Sequence, residues 1–361
     1  MSKFKLNLGP QHPSTHGVLR LILELDGEKI ISCEPDVGYL HRGMEKMAEK
    51  LTYIQYLPTV DRIDYLAGFF YSELLCRTVE KALNINLSPR IRAIRVMLLE
   101  LNRISSHLLW LGAFLMDLGA TSPFFYAFRE RELILKYFEK ISGQRMMNNY
   151  FTFGGVRRDI FDLHDVDNIL LVLQKKLKDY EKIITLNPIF KQRTSGKGII
   201  APEVAINGGL TGVNLRASGV NLDFRLQDDL YCGFYIKPII LDGKDALSRY
   251  KARILEITES INIIKQAIEY LKKGEALEQN IVNPLNLKLP EGEFYSEIEA
   301  PRGLARLYIK SNNEKTPYRL KWRTGSYYSV NILRKILVGT HLNDAIAIAG
   351  SLDIILPEVD K

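Results

Sequence analysis

Two histidines near the start of the chain have side chains that can transfer a proton or bind a metal ion. His12 and His16 lie four residues apart in the segment 9–17, which also contains Pro10 and Pro13. The prolines fix φ and remove backbone donors, and glycines at both ends permit tight turns, so a loop is predicted. Imidazole titrates near neutral pH, which suits proton transfer. The alternative is that both histidines only hydrogen-bond a turn.

A second group with acid–base chemistry follows further along the chain. Asp61, Asp64 and Tyr65 are spaced at i, i+3 and i+4, and the apolar residues after them predict a helix over residues 61–83. This spacing places the two carboxyls and the phenol on one helix face. The alternative is structural, because acids are favoured in a first helical turn and tyrosines commonly pack in cores.

A third polar set lies on the helix predicted over residues 91–118. This helix is apolar on nearly every side, which is typical of the centre of a bundle, yet Glu100, Arg103 and His107 form one polar stripe along it. Buried charges must pair, so the stripe predicts either a structural ion-pair network or a path for protons. Asp117 follows nine apolar residues near the helix C-terminus, where the dipole disfavours an anion, and this favours a functional or strongly paired role.

These residues need a framework, and the hydrophobic patterns predict one of the α+β class. Strand-like runs flank the histidine loop at residues 4–8 and 18–25, and another follows at 29–33. Further helices are predicted at residues 44–55, 128–141, 165–185, 246–273, 330–338 and 343–349. Further strands are predicted at residues 231–241, 294–298, 306–310 and 318–323. Residues 192–219 are expected to be irregular, and residues 352–356 are expected to insert into the core.

The expected architecture is a single domain over residues 1–361, with a central helical bundle flanked by small antiparallel sheets. Residues 1–36 are expected to form the N-terminal sheet with the histidine loop. Residues 44–190 are expected to form the core of the bundle, and residues 191–361 a mixed region that completes the bundle and the sheets.

Composition argues against several classes of function. The net charge of +7 comes from 49 basic and 42 acidic residues, a modest excess that favours acidic partner proteins or anionic lipid surfaces. No dense basic block interleaved with aromatic residues occurs, so nucleic-acid binding is not expected. No apolar run approaches the ~18 residues of a membrane span. The first residues lack the features of a signal or transit peptide, so we expect either that the protein stays in the compartment where it is made or that this sequence is without its presequence.

Metal and dinucleotide sites within the chain are not expected either. Cys33, Cys76 and Cys232 are far apart and form no CxxC pair, so they are predicted to be three buried thiols rather than ligands of zinc or an iron–sulfur cluster. The loop histidines have no HExxH pattern, which disfavours a metal-dependent hydrolase. The glycines at 208, 209 and 212 lack dinucleotide-binding spacing and a βαβ context, which argues against NADH binding.

Eight runs of sequence resemble one family from end to end, in the order that the family shows. The family is the quinone-site large subunit of complex I, which is the 49-kDa or D-type subunit of energy-converting NADH:quinone oxidoreductases, with its chloroplast and archaeal relatives. The runs are GPQHPSTHGVLR (9–20), VGYLHRGMEK (37–46), DRIDY (61–65), ELNRISSHLLWLGAFLMDLGA (100–120), PFFYAFRERE (123–132), GGVRRD (154–159), LRASGV (215–220) and GSLDIILPEVDK (350–361).

The resemblance implies a fold, an activity and partners. The fold is that of the [NiFe]-hydrogenase large subunit. The activity is quinone reduction, with quinone as substrate and no cofactor held by this chain, coupled to proton pumping in membrane subunits. Electrons arrive from a [4Fe–4S] cluster in the adjacent B-type subunit, and the other partners are the 30-kDa C-type subunit and the H-type membrane subunit with the quinone channel. The chain is then peripheral, on the cytoplasmic side of the cell membrane or an equivalent energy-converting membrane.

The resemblance also assigns roles to residues by position. His12, His16 and Tyr65 match the quinone-binding positions, with His12 shaping the loop and with His16 and Tyr65 at the headgroup. Asp117 matches the acid that orients His16 and helps to reprotonate it. Arg42 matches an arginine near the partner's cluster, where a cation tunes the reduction potential. A supporting network is expected from Asp61, Glu100, Arg103 and His107.

Two alternative functions are weighed against this one. The large subunit of a membrane-bound hydrogenase shares the fold but holds a Ni–Fe centre with two cysteine pairs, and the segments around DRIDY and residues 350–361 contain no cysteine. A structural scaffold that has lost the site is disfavoured because His16, Tyr65 and Asp117 are all present. The electron donor, whether NADH, ferredoxin or another carrier, is left open, because that choice resides in other subunits.

Overall fold

A three-stranded antiparallel sheet forms the N-terminal part of the protein. The computed structural model describes residues 3–10, 17–160, 162–283 and 286–361. The strands are β1 (Lys3–Leu8), β2 (Arg20–Asp26) and β3 (Lys29–Asp36), paired in that order. Leu8 pairs with Leu21, so a hairpin joins β1 and β2, as predicted. His12 and His16 themselves lie outside the described residues.

Helices occupy most of the middle of the chain and part of its C-terminal third. The described helices are α1 (Met44–Ala48), α2 (Tyr53–Val60), α3 (Gly68–Ala82), α4 (Pro89–Asp117), α5 (Thr121–Ser142), α6 (His164–Tyr180), α7 (Pro188–Thr194), α8 (Pro202–Asn207), α9 (Gly212–Arg216), α10 (Ala246–Leu271), α11 (Gly325–Ile336), α12 (Leu342–Gly350) and α13 (Leu356–Val359). Helix α6 continues into one π-helical turn, Glu181–Thr185.

Two further antiparallel sheets complete the fold. A short hairpin joins β4 (Phe151–Thr152) to β5 (Gly155–Val156). A second three-stranded sheet pairs β6 (Gly292–Ala300), β7 (Gly303–Ser311) and β8 (Arg319–Arg323) in that order. Small antiparallel sheets beside many helices confirm the predicted α+β class. The division into segments 1–36, 44–190 and 191–361 stays a prediction.

Helix α4 lies at the centre of the largest hydrophobic core. Ser88 accepts a hydrogen bond from the Ile91 amide, and Pro89 occupies the first turn, where its missing donor costs nothing. The helix then packs against α5 and α10 and is buried on nearly every side from Ile91 to Leu115. This matches the prediction from its apolar sequence.

A second core joins the N-terminal sheet to the C-terminal helices. Leu21 and Leu23 on the inner face of β2 pack in one buried cluster with Leu333 of α11, Leu352 and Leu356. Leu352 and Leu356 are almost fully buried. The prediction that residues 352–356 insert into the core is therefore confirmed.

Two sequence-based predictions of secondary structure are wrong. The strand expected at residues 231–241 is irregular, because its amides bond side chains of α10 instead of a neighbouring strand. The Tyr235 amide donates to Gln266 Oε1 at 2.8 Å, and the Lys237 amide donates to Glu259 Oε1 at 2.7 Å. Residues 192–219, expected to be irregular, contain α8 and α9 and the end of α7.

Smaller corrections concern a helix boundary and a thiol. The single helix expected at residues 44–55 is two helices, because Thr52 and Gln55 form a capping box that starts α2. Cys33 and Cys76 are buried as expected, but Cys232 is exposed. None of the helices in the described part of the chain combines the length and apolar character that a membrane span requires.

Candidate functional site

The loop between α2 and α3 carries Tyr65 and two buried acids. Residues 61–67 form turns, and α3 begins only at Gly68, so the helix predicted over residues 61–83 is wrong in its first two turns. The Asp64 carboxylate accepts from the Leu66 amide at 3.1 Å, which closes a local turn instead of a helical one. Asp61, Asp64 and Tyr65 therefore do not share a helix face.

Gly68 allows this loop to fold back on itself. A methyl group at Gly68 would lie 2.9 Å from Asp61 Cβ, which is closer than side-chain carbons normally approach. Helix α4 also holds the loop, since the side-chain amide of Asn102 donates to the Leu66 carbonyl oxygen at 2.9 Å. The loop is thus held in place by its own turn and by the central helix.

Tyr65 is the member of this loop that meets solvent. Its side chain is 37% exposed, and its hydroxyl has no hydrogen-bond partner among the described residues. Partial burial raises the pKa of Tyr65, and the negative charge of Asp64 raises it further. The phenol is therefore protonated at neutral pH and available to donate a hydrogen bond.

Asp61 is buried in the same loop, and half of its carboxyl group is paired. Oδ1 accepts from Arg62 Nη1 at 2.8 Å, whereas Oδ2 has no partner among the described residues. Burial raises the pKa of Asp61 to about 6, against the attraction of Arg62. A carboxyl group with such a pKa can take up and release a proton near neutral pH.

Arg42 joins the same loop from the preceding turn. Its Nη2 donates to the Arg62 carbonyl oxygen at 2.6 Å, and its side chain is exposed. The turn before Arg42 is fixed by the Asp360 carboxylate, which accepts from the Gly38 and Leu40 amides at 2.8 Å each. Two guanidinium groups, those of Arg42 and Arg62, therefore lie at one edge of the Tyr65 loop.

A fully buried guanidinium group lies behind the loop. Arg302, in the β6–β7 turn, donates through Nε to Asp64 Oδ2 at 2.8 Å and through Nη1 to Asp353 Oδ2 at 3.2 Å. Nη1 also donates to Ser106 Oγ of α4 at 2.9 Å, and Glu358 Oε2 lies 3.7 Å from Nε. We call Asp64, Arg302, Asp353 and Glu358 the Arg302 cluster.

The charges of the Arg302 cluster oppose its burial. Desolvation raises the pKa of Asp64 to about 6 although Arg302 lowers it, and the nearby Glu358 adds to the increase. Glu358 also accepts a hydrogen bond from Tyr71 at 2.7 Å. Sequence analysis did not identify Arg302, because its partner Asp64 is 238 residues away and a lone arginine in a hairpin turn carries no signal of burial.

Asp117 lies at the end of α4, next to residues 350–361, which we call the C-terminal segment. A methyl group at Gly350 would lie 3.5 Å from Asp117 Oδ2, and the Trp110 indole donates to the Gly350 carbonyl oxygen at 2.8 Å. Gly17, which follows the histidine loop, faces the same segment, since a methyl group there would lie 3.2 Å from Leu356 Cδ1. The C-terminal segment therefore lies against each of these predicted site elements.

Each of the three residues in the polar stripe of α4 contacts at least one buried polar partner, as predicted. Arg103 Nε lies 3.2 Å from Glu100 Oε2, and His107 Nε2 lies 3.1 Å from Glu256 Oε2 on α10. Glu100 also accepts from the Tyr231 hydroxyl at 2.6 Å and from Ser260. All of these charged side chains are fully buried.

Electrostatics keeps Glu100 of this stripe ionised and His107 neutral. Burial opposes the charge of Glu100, but Arg103 and Arg225 outweigh it and lower the pKa of this carboxyl group. Burial lowers the pKa of His107, although Glu256 opposes the change. These directions favour the structural ion-pair interpretation of the stripe. The role of the stripe as a supporting network of the site stays a prediction.

Comparison with known proteins identifies the family. A model of the family described as "Respiratory-chain NADH dehydrogenase, 49 Kd subunit" matches residues 117–285 and 276–361. The chain belongs to this family. The predicted family is thereby confirmed, as is the prediction that the chain is a subunit of an NADH:quinone oxidoreductase.

Relatives of the 49-kDa subunit family match along nearly the full chain. The D subunit of the NADH-quinone oxidoreductase of Geobacillus kaustophilus is 46% identical over 359 residues, which are 98% of this chain and 97% of the relative. The H 1 subunit of the NAD(P)H-quinone oxidoreductase of Gloeobacter violaceus is 45% identical over 384 aligned positions, covering 99% and 97% of the two chains. The D subunit of the NADH-quinone oxidoreductase of Geobacter sulfurreducens is 40% identical over 383 positions, covering 99% and 98%.

Family membership leaves the individual site residues as predictions. The structure brings Tyr65, Asp61 and Arg42 together at one loop and places Asp117 against the C-terminal segment. It holds Glu100, Arg103 and His107 in a separate buried network. Among the described residues, no group of histidine, cysteine, aspartate and glutamate side chains is arranged to hold a metal ion.

The raised pKa of Asp61 predicts a pH-dependent stability. Its carboxyl group shifts from the ordinary 3.8 to about 6, so the folded state binds the proton more tightly than the unfolded state, and this contribution is lost as the pH rises through 6. Relative to Asp61→Asn, the wild-type free energy of unfolding should fall by up to about 3 kcal/mol between pH 4 and pH 7, at ~1.4 kcal/mol per pKa unit. Urea unfolding across this pH range measures the difference.

The exposed Asp26 supplies the control for this experiment. Asp26→Asn should follow the wild-type pH dependence closely. If the free energy of unfolding of Asp61→Asn shows the same pH dependence as the wild type, the pKa of Asp61 is not raised in the folded state and the prediction is wrong.

Removing the guanidinium group of Arg302 should be strongly destabilising. Arg302→Met leaves Asp64 and Asp353 buried without their cation, which costs roughly 3–5 kcal/mol of unfolding free energy. Arg306→Met breaks the half-exposed pair with Glu297 on the same hairpin and should cost about 1 kcal/mol or less. Denaturant unfolding of both variants at pH 7 makes the comparison, and equal losses would contradict a central role for Arg302.

Proposed function

We propose that this chain forms the quinone-reduction site of a proton-translocating NADH:quinone oxidoreductase. The observation that carries the proposal is Tyr65, a protonated phenol that is partly exposed and has no hydrogen-bond partner in the described part of the chain. The residue before it in the chain, Asp64, belongs to the buried Arg302 cluster. Family membership supplies the context, because the named relatives are quinone oxidoreductase subunits.

The reaction requires two electrons and two protons for each quinone, one proton at each carbonyl oxygen. Tyr65 donates a hydrogen bond to one carbonyl oxygen, polarises it and then transfers its proton. His16 serves the other carbonyl oxygen, with Asp117 orienting the imidazole and helping to reprotonate it, while His12 shapes the loop. In this proposal quinone is the substrate, and the chain holds no cofactor of its own.

The residues around Tyr65 suit this role. Asp61, with a pKa of about 6, and Asp64, with its raised pKa, form acids near Tyr65 that can exchange protons near neutral pH. Arg42 and Arg62 add positive charge at the edge of the loop. A cation there favours electron arrival at a nearby cluster or quinone by stabilising the added negative charge.

The partners and the location follow from the same proposal. Electrons come from a [4Fe–4S] cluster held by the adjacent B-type subunit. Arg42 lies on the side of this chain that faces that cluster. The 30-kDa C-type subunit and the H-type membrane subunit with the quinone channel complete the neighbourhood. The chain then lies peripherally on the cytoplasmic side of the cell membrane, and its fold is that of the [NiFe]-hydrogenase large subunit. Quinone reduction here drives proton pumping in the membrane subunits.

Tyr65→Phe should abolish most quinone reduction in the assembled membrane complex. The substitution removes only the hydroxyl group, and a positioned proton donor contributes about 10²–10⁴-fold to rate. Quinone-analogue reduction should therefore fall by on the order of 100-fold, whereas reduction of the iron–sulfur clusters by the upstream donor should proceed normally. Stopped-flow spectroscopy follows both steps.

The control for this variant is Tyr235→Phe, since Tyr235 is the most exposed tyrosine that the structure describes, at 74%. It should leave both steps unchanged. If Tyr65→Phe retains wild-type quinone turnover, the assignment of Tyr65 as proton donor is wrong.

A further inference from the structure

Strands β7 and β8 of the second three-stranded sheet present a basic outer face, beside Glu293 and Glu297 of β6. The inner face of this sheet packs Leu307, Ile309 and Leu320 into the core. The alternate residues point outward and are exposed or half-exposed. Strand β7 presents Arg306, Tyr308 and Lys310, and β8 presents Arg319, Lys321 and Arg323. We call these six residues the basic face.

Like charges lie directly opposite each other on the basic face. Arg306 pairs in register with Arg323, and Lys310 pairs with Arg319. Cross-strand pairs of like charge are destabilising. Glutamates offset part of this repulsion, since Glu297 lies 2.9 Å from Arg306, Glu293 lies 3.6 Å from Lys310 and Glu49 lies 3.1 Å from Arg319. Among the described residues, Lys321 has no acidic partner.

A cleft of about 670 Å³ opens at one end of this face. Four tyrosines line it, namely Tyr295, Tyr308, Tyr327 and Tyr328. Four cations also line it, namely Arg306, Lys321, Arg323 and Lys361, against the single carboxylate of Glu45. Arg323 stacks on Tyr328 with 4.3 Å between the guanidinium carbon and the ring centroid, and Lys361 lies 5.4 Å from the Tyr327 centroid.

The cleft carries more positive charge than its own residues neutralise. Burial lowers the pKa of Arg323, and repulsion from Arg306 lowers it further. Burial also lowers the pKa of Lys361, and Lys321 and Arg323 add to the decrease, although Glu45 and Glu358 oppose it. A negatively charged occupant would relieve both effects.

We propose that this cleft binds an acidic segment of a partner subunit of the same complex. Tyrosine and arginine are enriched at the energetic centres of protein interfaces, and carboxylates of the segment would neutralise Lys321 and Lys361. The inference rests on membership in a multi-subunit oxidoreductase family and is independent of the quinone chemistry at Tyr65.

The geometry favours a protein segment over a small phosphate-bearing ligand. The Arg323 donors are occupied by the carbonyl oxygens of Leu304 and Gly209, and Arg306 is engaged by Glu297. No free guanidinium fork therefore remains in the described lining of the cleft to hold a phosphate group in two parallel bonds. The remaining cations are two separated lysines, and the tyrosines supply a broad contact area that suits side chains of a peptide.

Photo-crosslinking in the purified, assembled complex identifies the occupant. Tyr327 is 52% exposed, so replacing it with p-benzoylphenylalanine places a photoreactive group at the rim of the cleft. We expect a cross-link to one partner subunit, in a peptide with at least two aspartate or glutamate residues. A cross-link only to lipid, to a peptide without acids, or to nothing would overturn the proposal.

Charge reversal then tests the electrostatic part. Lys321→Glu removes one attraction and adds one repulsion, so the partner's affinity should fall roughly 10-fold or more, and the partner should dissociate at lower salt. Lys265→Glu, on the exposed side of α10, makes the same change in net charge elsewhere and should have no such effect. Reversing the cross-linked partner acid to lysine should restore binding to the Lys321→Glu complex.

Two outcomes of these assays count against the proposal. If Lys321→Glu and Lys265→Glu dissociate at the same salt concentration, the basic face does not hold the partner. If inorganic phosphate or ATP at millimolar concentration protects the cleft from cross-linking while the partner stays bound, the cleft is a small-anion site. If the Lys321→Glu complex fails to assemble, the cross-link from position 327 in the otherwise unmodified complex still decides whether an acidic partner segment occupies the cleft.

Discussion

The buried contact of Arg302 with three carboxyl groups holds the candidate site together. Asp64 comes from the Tyr65 loop, and Asp353 and Glu358 come from the C-terminal segment, so one guanidinium group ties the two parts of the chain. Ser106 adds the central helix to the same contact. Buried ion pairs contribute little net stability. A buried cluster that includes an acid of raised pKa next to a partly exposed phenol is instead a feature that functional sites show.

The C-terminal segment is the common anchor of the other site elements. Its backbone and side chains contact Trp110 of α4, the turn before Arg42, and Gly17 after the histidine loop. The buried leucines of this segment give it a fixed position in the second hydrophobic core. All of these elements therefore pack on the segment that also supplies Asp353 and Glu358 to the Arg302 cluster.

The sequence predicted the long helices well and the site loop poorly, for physical reasons. The helix expected at residues 91–118 is α4 (Pro89–Asp117), because its apolar pattern and its Ser88–Pro89 start are local signals. The turn at Asp64 depends on Arg302, which is 238 residues distant, and local propensity does not contain that contact. The false strand at residues 231–241 has the same cause, since Gln266 and Glu259 satisfy amides that a strand would have used.

The site residues came from family motifs more than from patterns. Spacing alone left Asp61, Asp64 and Tyr65 open to a structural interpretation, and the resemblance singled out Tyr65. It did not indicate Arg302, Asp353 or Glu358 as the buried support, because a motif names positions and not the side chains that meet behind them. The pairing of Glu100, Arg103 and His107 was predictable, since charges on a buried helix must be neutralised by neighbours.

Photolabelling of the assembled complex with an azido-quinone tests the central claim most directly. The account predicts that the label is found in this subunit within residues 61–67, and that an excess of unlabelled quinone suppresses it. Labelling confined to other subunits, or labelling here that excess quinone does not reduce, would contradict the claim that the Tyr65 loop is where quinone binds.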